Sequence, residues 1–174
     1  MDKISSLTKI LGILKTTPRT GWIKKDIKTP ESIAAHSYGV VLSSWLLCPK
    51  HLNKNHCMEL AMVHDLAEAY CGDYTPDDPI SAEEKHQKEE EGIDKISKEL
   101  KAPELMTLFK EYEEAQTPEA RFVHDIDKAE TFLQALYYEE KEKIKLAQEF
   151  RETAQKKYLG GYGDRFIENI YKEK

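Results

Sequence analysis

The sequence predicts an all-α fold, arranged as a compact single-domain helical bundle over residues 1–174. Three observations predict it. Apolar residues recur at three- and four-residue spacing in segment after segment. No segment shows sustained period-two alternation or a hairpin turn signal. Helix-start chemistry also repeats along the chain, as two Thr-Pro-Glu triplets and one Ser-x-x-Glu box. The chain has 174 residues, enough to bury a sizeable core in one domain. Its 40% hydrophobic and 33% charged content suits helices with highly charged outer faces.

Taken in order, Ile4, Leu7, Ile10, Leu11 and Leu14 lie at helical spacing and give a first short helix. It ends before Thr17-Pro18-Arg19-Thr20-Gly21-Trp22, read as a loop from its Pro and Gly. Thr29-Pro30-Glu31-Ser32 reads as the next helix start, with Thr29 as N-cap, Pro30 at N1 and Glu31 at the positive dipole end. That helix runs through Ile33, His36, Val40 and Trp45 to about Leu47. Cys48 to Asn53 form a connector, and His51 and His56, in or beside it, are expected to be exposed and inert.

A third helix is expected from near Asn55 to Cys71, unbroken by Gly or Pro. The acidic, proline-bearing stretch from Cys71 to Pro79 is a loop by composition. Ser81-Ala82-Glu83-Glu84 is a capping box opening a very charged helix to about Leu100, with Ile93, Ile96 and Leu100 as its apolar edge. Pro103 starts a short helix through Leu105, Leu108, Phe109 and Tyr112. Thr117-Pro118-Glu119 opens a long one striped by Phe122, Val123, Ile126, Ala129, Leu133 and Leu136. Ile144, Leu146, Ala147 and Phe150 continue at helical spacing, Gly160 and Gly161 break the chain, and a last helix spans about Asp164 to Tyr171.

Charge and cysteine content narrow the function. The formal net charge is −6, which argues against a broad nucleic-acid surface. A small phosphorylated substrate held by a few local cations is compatible with it. No apolar run reaches the length of a bilayer span, so no membrane partner is expected. The N-terminal residues lack a signal-peptide pattern, which places the protein in the cytoplasm by default. Three cysteines without CxxC spacing read as free thiols rather than a disulfide framework.

Chemistry concentrates in Leu60 to Tyr70. His64 and Asp65 are neighbours, about 100° apart around a helix, and two such side chains can converge on one ion. Imidazole and carboxylate are ordinary ligands of divalent first-row metals. Glu68 follows His64 by four residues, where a general acid or base could stand. His36 on an apolar helix face reads alone as a satisfied core histidine. Arg19 and Trp22, with Lys24, Lys25 and Lys28 behind them, form either a solvated basic loop or an anion and ring clamp. Asp125 and Asp127 fall on opposite edges of the long helix's stripe, and helical phase does not choose between them.

The order of these residues, His36, then His64-Asp65, then a late aspartate, resembles the HD-domain metal-dependent phosphohydrolases. Arg19-Thr20-Gly21-Trp22, Pro30-Glu31-Ser32, His64-Asp65-Leu66-Ala67-Glu68, Gly72-Asp73, Glu84-Lys85-His86 and Phe122 through Glu130 are similar to the small 5′-deoxynucleotidases of that superfamily. The resemblance covers residues 5 to 140 and is weaker after Ile144. It implies an HD-type bundle with His36, His64, Asp65 and Asp127 as metal ligands, Asp127 being chosen because Lys128-Ala129-Glu130 follows it. It implies Glu68 as the catalytic acid/base, Arg19 and Trp22 as nucleotide contacts, and Asp73 near the sugar. Asp125 receives no role, and its removal is expected to be close to neutral. One divalent ion, Mn, Co, Mg, Fe, Ni or Zn, is expected. The activity implied is removal of the 5′-phosphate from deoxynucleoside 5′-monophosphates, by a homodimer. The competing readings are a phosphohydrolase of another small phosphate ester and an inactive metal-binding scaffold.

Overall fold

The computed structural model describes residues 2–172. Its α-helices are α1 Lys3–Thr16, α2 Thr20–Lys24, α3 Ile33–Leu47, α4 Lys54–Val63, α5 Glu68–Cys71, α6 Ala82–Leu100, α7 Glu104–Glu114, α8 Pro118–Glu142, α9 Ala147–Lys157 and α10 Tyr162–Lys172. Among the described residues the only extended pairing is an isolated antiparallel bridge between Pro18 and Ser32. The fold is all-α.

The helices group into two compact units. The first takes the chain up to Ser37 together with Val63–Lys110; the second takes Tyr38–Met62 together with the chain from Glu111 onward. In the first unit α1, α5 and α6 pack on one another. Ile10, Leu14, Val63, Ile93, Ile96 and Phe109 belong to its core. Helix α1 is capped by Asp2, whose carboxylate accepts from the backbone N–H of Ile4 and Ser5. The capping box of α6 forms as its sequence requires, with Ser81 and Glu84 satisfying each other's backbone donors. Gly92 sets how closely α6 approaches the turn before α5. A Cβ there would lie 2.8 Å from the Ala67 carbonyl oxygen, so only glycine fits without displacing backbone.

In the second unit α8 is the spine, and α9 and α10 pack against it. Thr117 caps α8 by accepting from the Ala120 N–H, and Pro118 occupies the first turn, where no donor is lost. Phe122, Phe132 and Tyr138 bury almost completely along its length. The helix ends at Lys143, which adopts a left-handed conformation.

Four local expectations are corrected. The stretch after Pro18 is not all loop, because Thr20–Lys24 form a short helix in which the Arg19 carbonyl accepts from Trp22 and Ile23. Helix α3 begins at Ile33 rather than Pro30. Arg19 N–H donates to the Glu31 carbonyl at 2.9 Å and Ile33 N–H to the Thr17 carbonyl at 3.0 Å, which holds residues 30–32 extended. Ser32 takes over the capping role, its hydroxyl accepting from the Ala35 N–H at 3.2 Å.

The expected helix from Asn55 to Cys71 is interrupted. Residues 64–67 form successive tight turns in which Leu66, Glu68 and Ala69 donate to the carbonyls three residues back. His64 and Asp65 therefore sit in a break rather than mid-helix. Residues 144–146 are likewise non-helical; the Glu139 carboxylate accepts from the N–H of Leu146 and Ala147 and starts α9 there.

Candidate metal centre and active site

The first unit brings most of the candidate residues together. His36 projects from the first turns of α3 and is fully buried. His64 and Asp65 come from the turns between α4 and α5, and Glu68 opens α5. From these tight turns both His64 and Asp65 reach His36. His64 Nε2 lies 3.4 Å from His36 Nε2. Asp65 Oδ2 lies 3.2 Å from His64 Nε2 and 3.6 Å from His36 Nε2. One donor atom from each residue falls within 4.8 Å of the other two, so the three suit a shared cation.

Arg19 stands beside this cluster. Its Nη1 donates to Asp65 Oδ2 at 2.8 Å, with Asp73 Oδ1 at 3.8 Å and Glu68 Oε2 at 3.9 Å. Burial works against ionisation of Asp65, but His64 and Arg19 overcome it and hold the carboxyl well below the usual carboxylate range. Glu68 behaves in the opposite sense. Its side chain is 6% exposed, and Oε2 has no hydrogen-bond partner among the described residues. Burial, and then the nearby Asp65 charge, push its proton affinity well above that of an ordinary glutamate. Two neighbouring carboxyls thus differ in role by environment: one stays charged, and the other tends to keep a proton.

Asp73, in the loop after α5, is held against α2. Its carboxylate accepts from the Thr20 N–H at 2.6 Å, and its carbonyl accepts from the Thr20 hydroxyl at 2.8 Å. Lys24 pairs with Asp78 at 2.8 Å and fastens the far end of the same loop. Trp22 is placed differently from the expectation of a nucleotide contact. It is 2% exposed, and its indole N–H donates to Glu31 at 2.8 Å. A ring buried that deeply offers no stacking face; it anchors the segment that carries Arg19.

Asp127 belongs to the second unit. Its carboxylate is 3% exposed, accepts from the Tyr112 hydroxyl at 3.1 Å and pairs with Lys128 at 2.5 Å. His124 stacks on Tyr112 with ring centroids 4.0 Å apart. Asp125, for which the sequence suggested no role, is fully buried and accepts from the backbone N–H groups of Leu159, Gly160, Tyr162 and Gly163. His56 is not inert either. Its Nε2 contacts Glu111 at 2.8 Å and its Nδ1 contacts Glu59 at 3.3 Å.

Sequence reasoning missed Thr20, Glu31 and Asp125 as organising residues. Thr20 had a signal in its place next to Arg19. The partners of Asp125 lie more than thirty residues away, and no periodicity points to them.

An all-α chain with a histidine on one helix converging on a His-Asp pair that follows another defines a class. This chain belongs to the HD-domain family, whose model matches residues 11–160. Among curated relatives, a protein of Schizosaccharomyces pombe named 5′-deoxynucleotidase is 46% identical over 138 residues, covering 75% of this chain and 70% of the relative. A human protein of the same name is 41% identical over 137 residues, covering 77% and 67%. Among solved structures, a protein of Pyrococcus horikoshii OT3 superposes with a TM-score of 0.78 at 32% identity, covering 98% of this chain and 96% of that one. A conserved hypothetical protein of Pyrococcus furiosus gives 0.80 at 29% identity, covering 97% and 99%.

Proposed function

We propose that this protein is a metal-dependent 5′-deoxynucleotidase, which hydrolyses deoxynucleoside 5′-monophosphates to deoxynucleoside and inorganic phosphate. The observation that carries this reading is the convergence of His36, His64 and Asp65 beside a charged Arg19 and a proton-holding Glu68. It occurs in a chain that is 46% and 41% identical to relatives bearing that name.

The donor set fits one divalent ion: two imidazole nitrogens and a carboxylate oxygen whose ligating atoms lie within 4.8 Å of one another. His36, His64 and Asp65 would hold the ion, and the family pattern would assign Asp127 as a further ligand. Mn, Fe, Co, Ni and Zn suit imidazole with carboxylate; Mg prefers an all-oxygen shell and is the poorest match of the six candidates. A divalent ion in such a site supplies Lewis acidity, drawing charge from a phosphate oxygen and making water a usable nucleophile near neutral pH.

The chain's own residues do the rest. The Arg19 guanidinium, already surrounded by carboxylates, is the cation that meets the phosphate as negative charge shifts toward the leaving oxygen. Water adds to phosphorus, the bond from phosphorus to the 5′-oxygen breaks, and that oxygen takes up a proton. Glu68, buried and inclined to keep its proton, is the donor. Asp73, held by Thr20, is the sugar contact in this reading. Trp22 and Glu31 brace the Arg19 segment behind it.

The protein acts as a homodimer in the cytoplasm in this reading. Tyr38, Leu42, Trp45 and Leu46 form an exposed stripe on α3, at 68%, 40%, 48% and 61% exposure, which supports self-association. No described helix is long and apolar enough to cross a membrane, and the three cysteines are free thiols, as in a reducing compartment.

The test is phosphate release from a panel of monophosphates by protein stripped of metal and then reloaded with each candidate ion. Faster release from deoxynucleoside 5′-monophosphates than from ribonucleotides or non-nucleotide esters is the expected result. Equal or faster turnover of a non-nucleotide ester would reassign the substrate, and silence with every ion would leave a binding protein.

A further inference from the structure

We propose that Cys48 and Cys57 are a redox-active dithiol that closes to an intramolecular disulfide on exposure to a peroxide. The two lie in the second unit, with Sγ atoms 3.9 Å apart and no covalent bond between them. A disulfide needs about 2.05 Å between sulfurs, so they must approach by roughly 1.9 Å. The backbone on one side is suited to that. Cys48 follows the last residue of α3: its N–H still donates to the Ser44 carbonyl at 3.1 Å, but the connector after it, residues 49–53, is irregular and held by a turn bond from the Leu52 N–H to the Pro49 carbonyl. Cys57 is in the first turns of α4 and is fixed. Movement of the Cys48 side chain with a small shift of the connector closes the gap without unwinding either helix.

The two thiols differ in access, which assigns their order. Cys48 is partly exposed and Cys57 is fully buried. Cys48 also has the Pro49 carbonyl at 3.6 Å and the Leu52 carbonyl at 4.0 Å as weak acceptors for its S–H, so its thiol sits in a polar, yielding corner. The Cys48 thiolate attacks one peroxide oxygen, the O–O bond breaks, and a sulfenic acid forms with release of hydroxide (or an alkoxide from an organic peroxide). The Cys57 sulfur then attacks the Cys48 sulfur. The S–O bond breaks, the Cys57 proton leaves with the hydroxyl as water, and the disulfide is complete. Burial raises the proton affinity of Cys57, which makes the second step the slower one. The product ties the end of α3 to the start of α4, a covalent clasp across one corner of the unit.

Neither cysteine enters the proposed hydrolysis, so this inference stands apart from that function. Cys71, the third cysteine, lies in the first unit and serves as the internal control.

The experiment treats the purified full-length protein with a modest excess of hydrogen peroxide and reads intact mass and proteolytic peptides. The expected result is a loss of two mass units, a cross-linked pair of peptides containing Cys48 and Cys57, and full reversal by dithiothreitol. Cys71→Ser should behave as the parent does. Cys57→Ser should instead accumulate a Cys48 sulfenic acid that dimedone traps. A higher melting temperature of the oxidised form, lost on reduction, is the expected consequence for stability. Stable sulfinic acid at Cys48, a disulfide that uses Cys71, covalent dimers only, or unmodified thiols after treatment that oxidises free glutathione would each overturn the proposal.

Discussion

At the scale of single residues, the site depends on two carboxyls three positions apart that lean in opposite directions. Asp65 is kept ionised by His64 and Arg19 despite its burial. Glu68 has Arg19 only at 3.9 Å, no hydrogen bond on Oε2, and the Asp65 charge against it. This difference has a consequence for stability. The proton affinity of Glu68 is higher in the folded protein than in the unfolded chain. Its contribution is therefore complete below the ordinary glutamate range and is lost as pH rises through the raised value. Metal-free protein should lose stability as pH rises above the ordinary glutamate range, and Glu68→Gln should lose less over the same rise. Chemical denaturation at a pH within that range and at one above it measures both. Equal losses in the two proteins would mean that Glu68 ionises as easily folded as unfolded.

At the scale of elements, α8 is fastened to the turn between α9 and α10 through Asp125. One buried carboxylate accepts four backbone N–H groups from residues 159–163. Removing it orphans several donors at once, and each charge-assisted hydrogen bond of this kind contributes about 1.5–3 kcal/mol. Asp125→Ala should therefore destabilise the protein by roughly 3 kcal/mol or more, read as a fall of about 6–12 °C in melting temperature. A change within about 1 °C would restore the reading of Asp125 as a neutral position.

The same helix shows what a sequence can and cannot convey. The phase of α8 put Asp125 and Asp127 on the edges of its stripe, and caps and breakers placed most helix ends. Ser81 with Glu84 and Thr117 with Pro118 are local chemistry, and local chemistry is written in adjacent residues. The start of α3 at Ile33 and the break at residues 64–67 were not legible. The first depends on pairing between residues 17–19 and 31–33, and the second runs through residues of ordinary helical spacing. Trp22 had the composition of a ligand contact and the burial of a core residue, and only its surroundings decide between these.

At the scale of the whole molecule, the candidate metal ligands His36, His64 and Asp65 are chosen from sequence order combined with the HD-domain pattern, and the structure gathers these three in the first unit. The exposed α3 stripe predicts that Trp45→Glu together with Leu46→Glu keeps the protein folded and makes it a monomer. Sedimentation at micromolar concentration tests this, and a parent protein that is already monomeric would remove the dimer from the account. In the proposed mechanism ligation and proton transfer fall to different residues of one cluster. Metal content and turnover of Glu68→Gln, measured side by side on one preparation, test it most directly. Full metal occupancy, intact binding of a deoxynucleoside monophosphate and turnover lower by roughly 10²–10⁴-fold are expected. Loss of the metal along with the activity would contradict it, because Glu68 would then be a ligand rather than the proton donor.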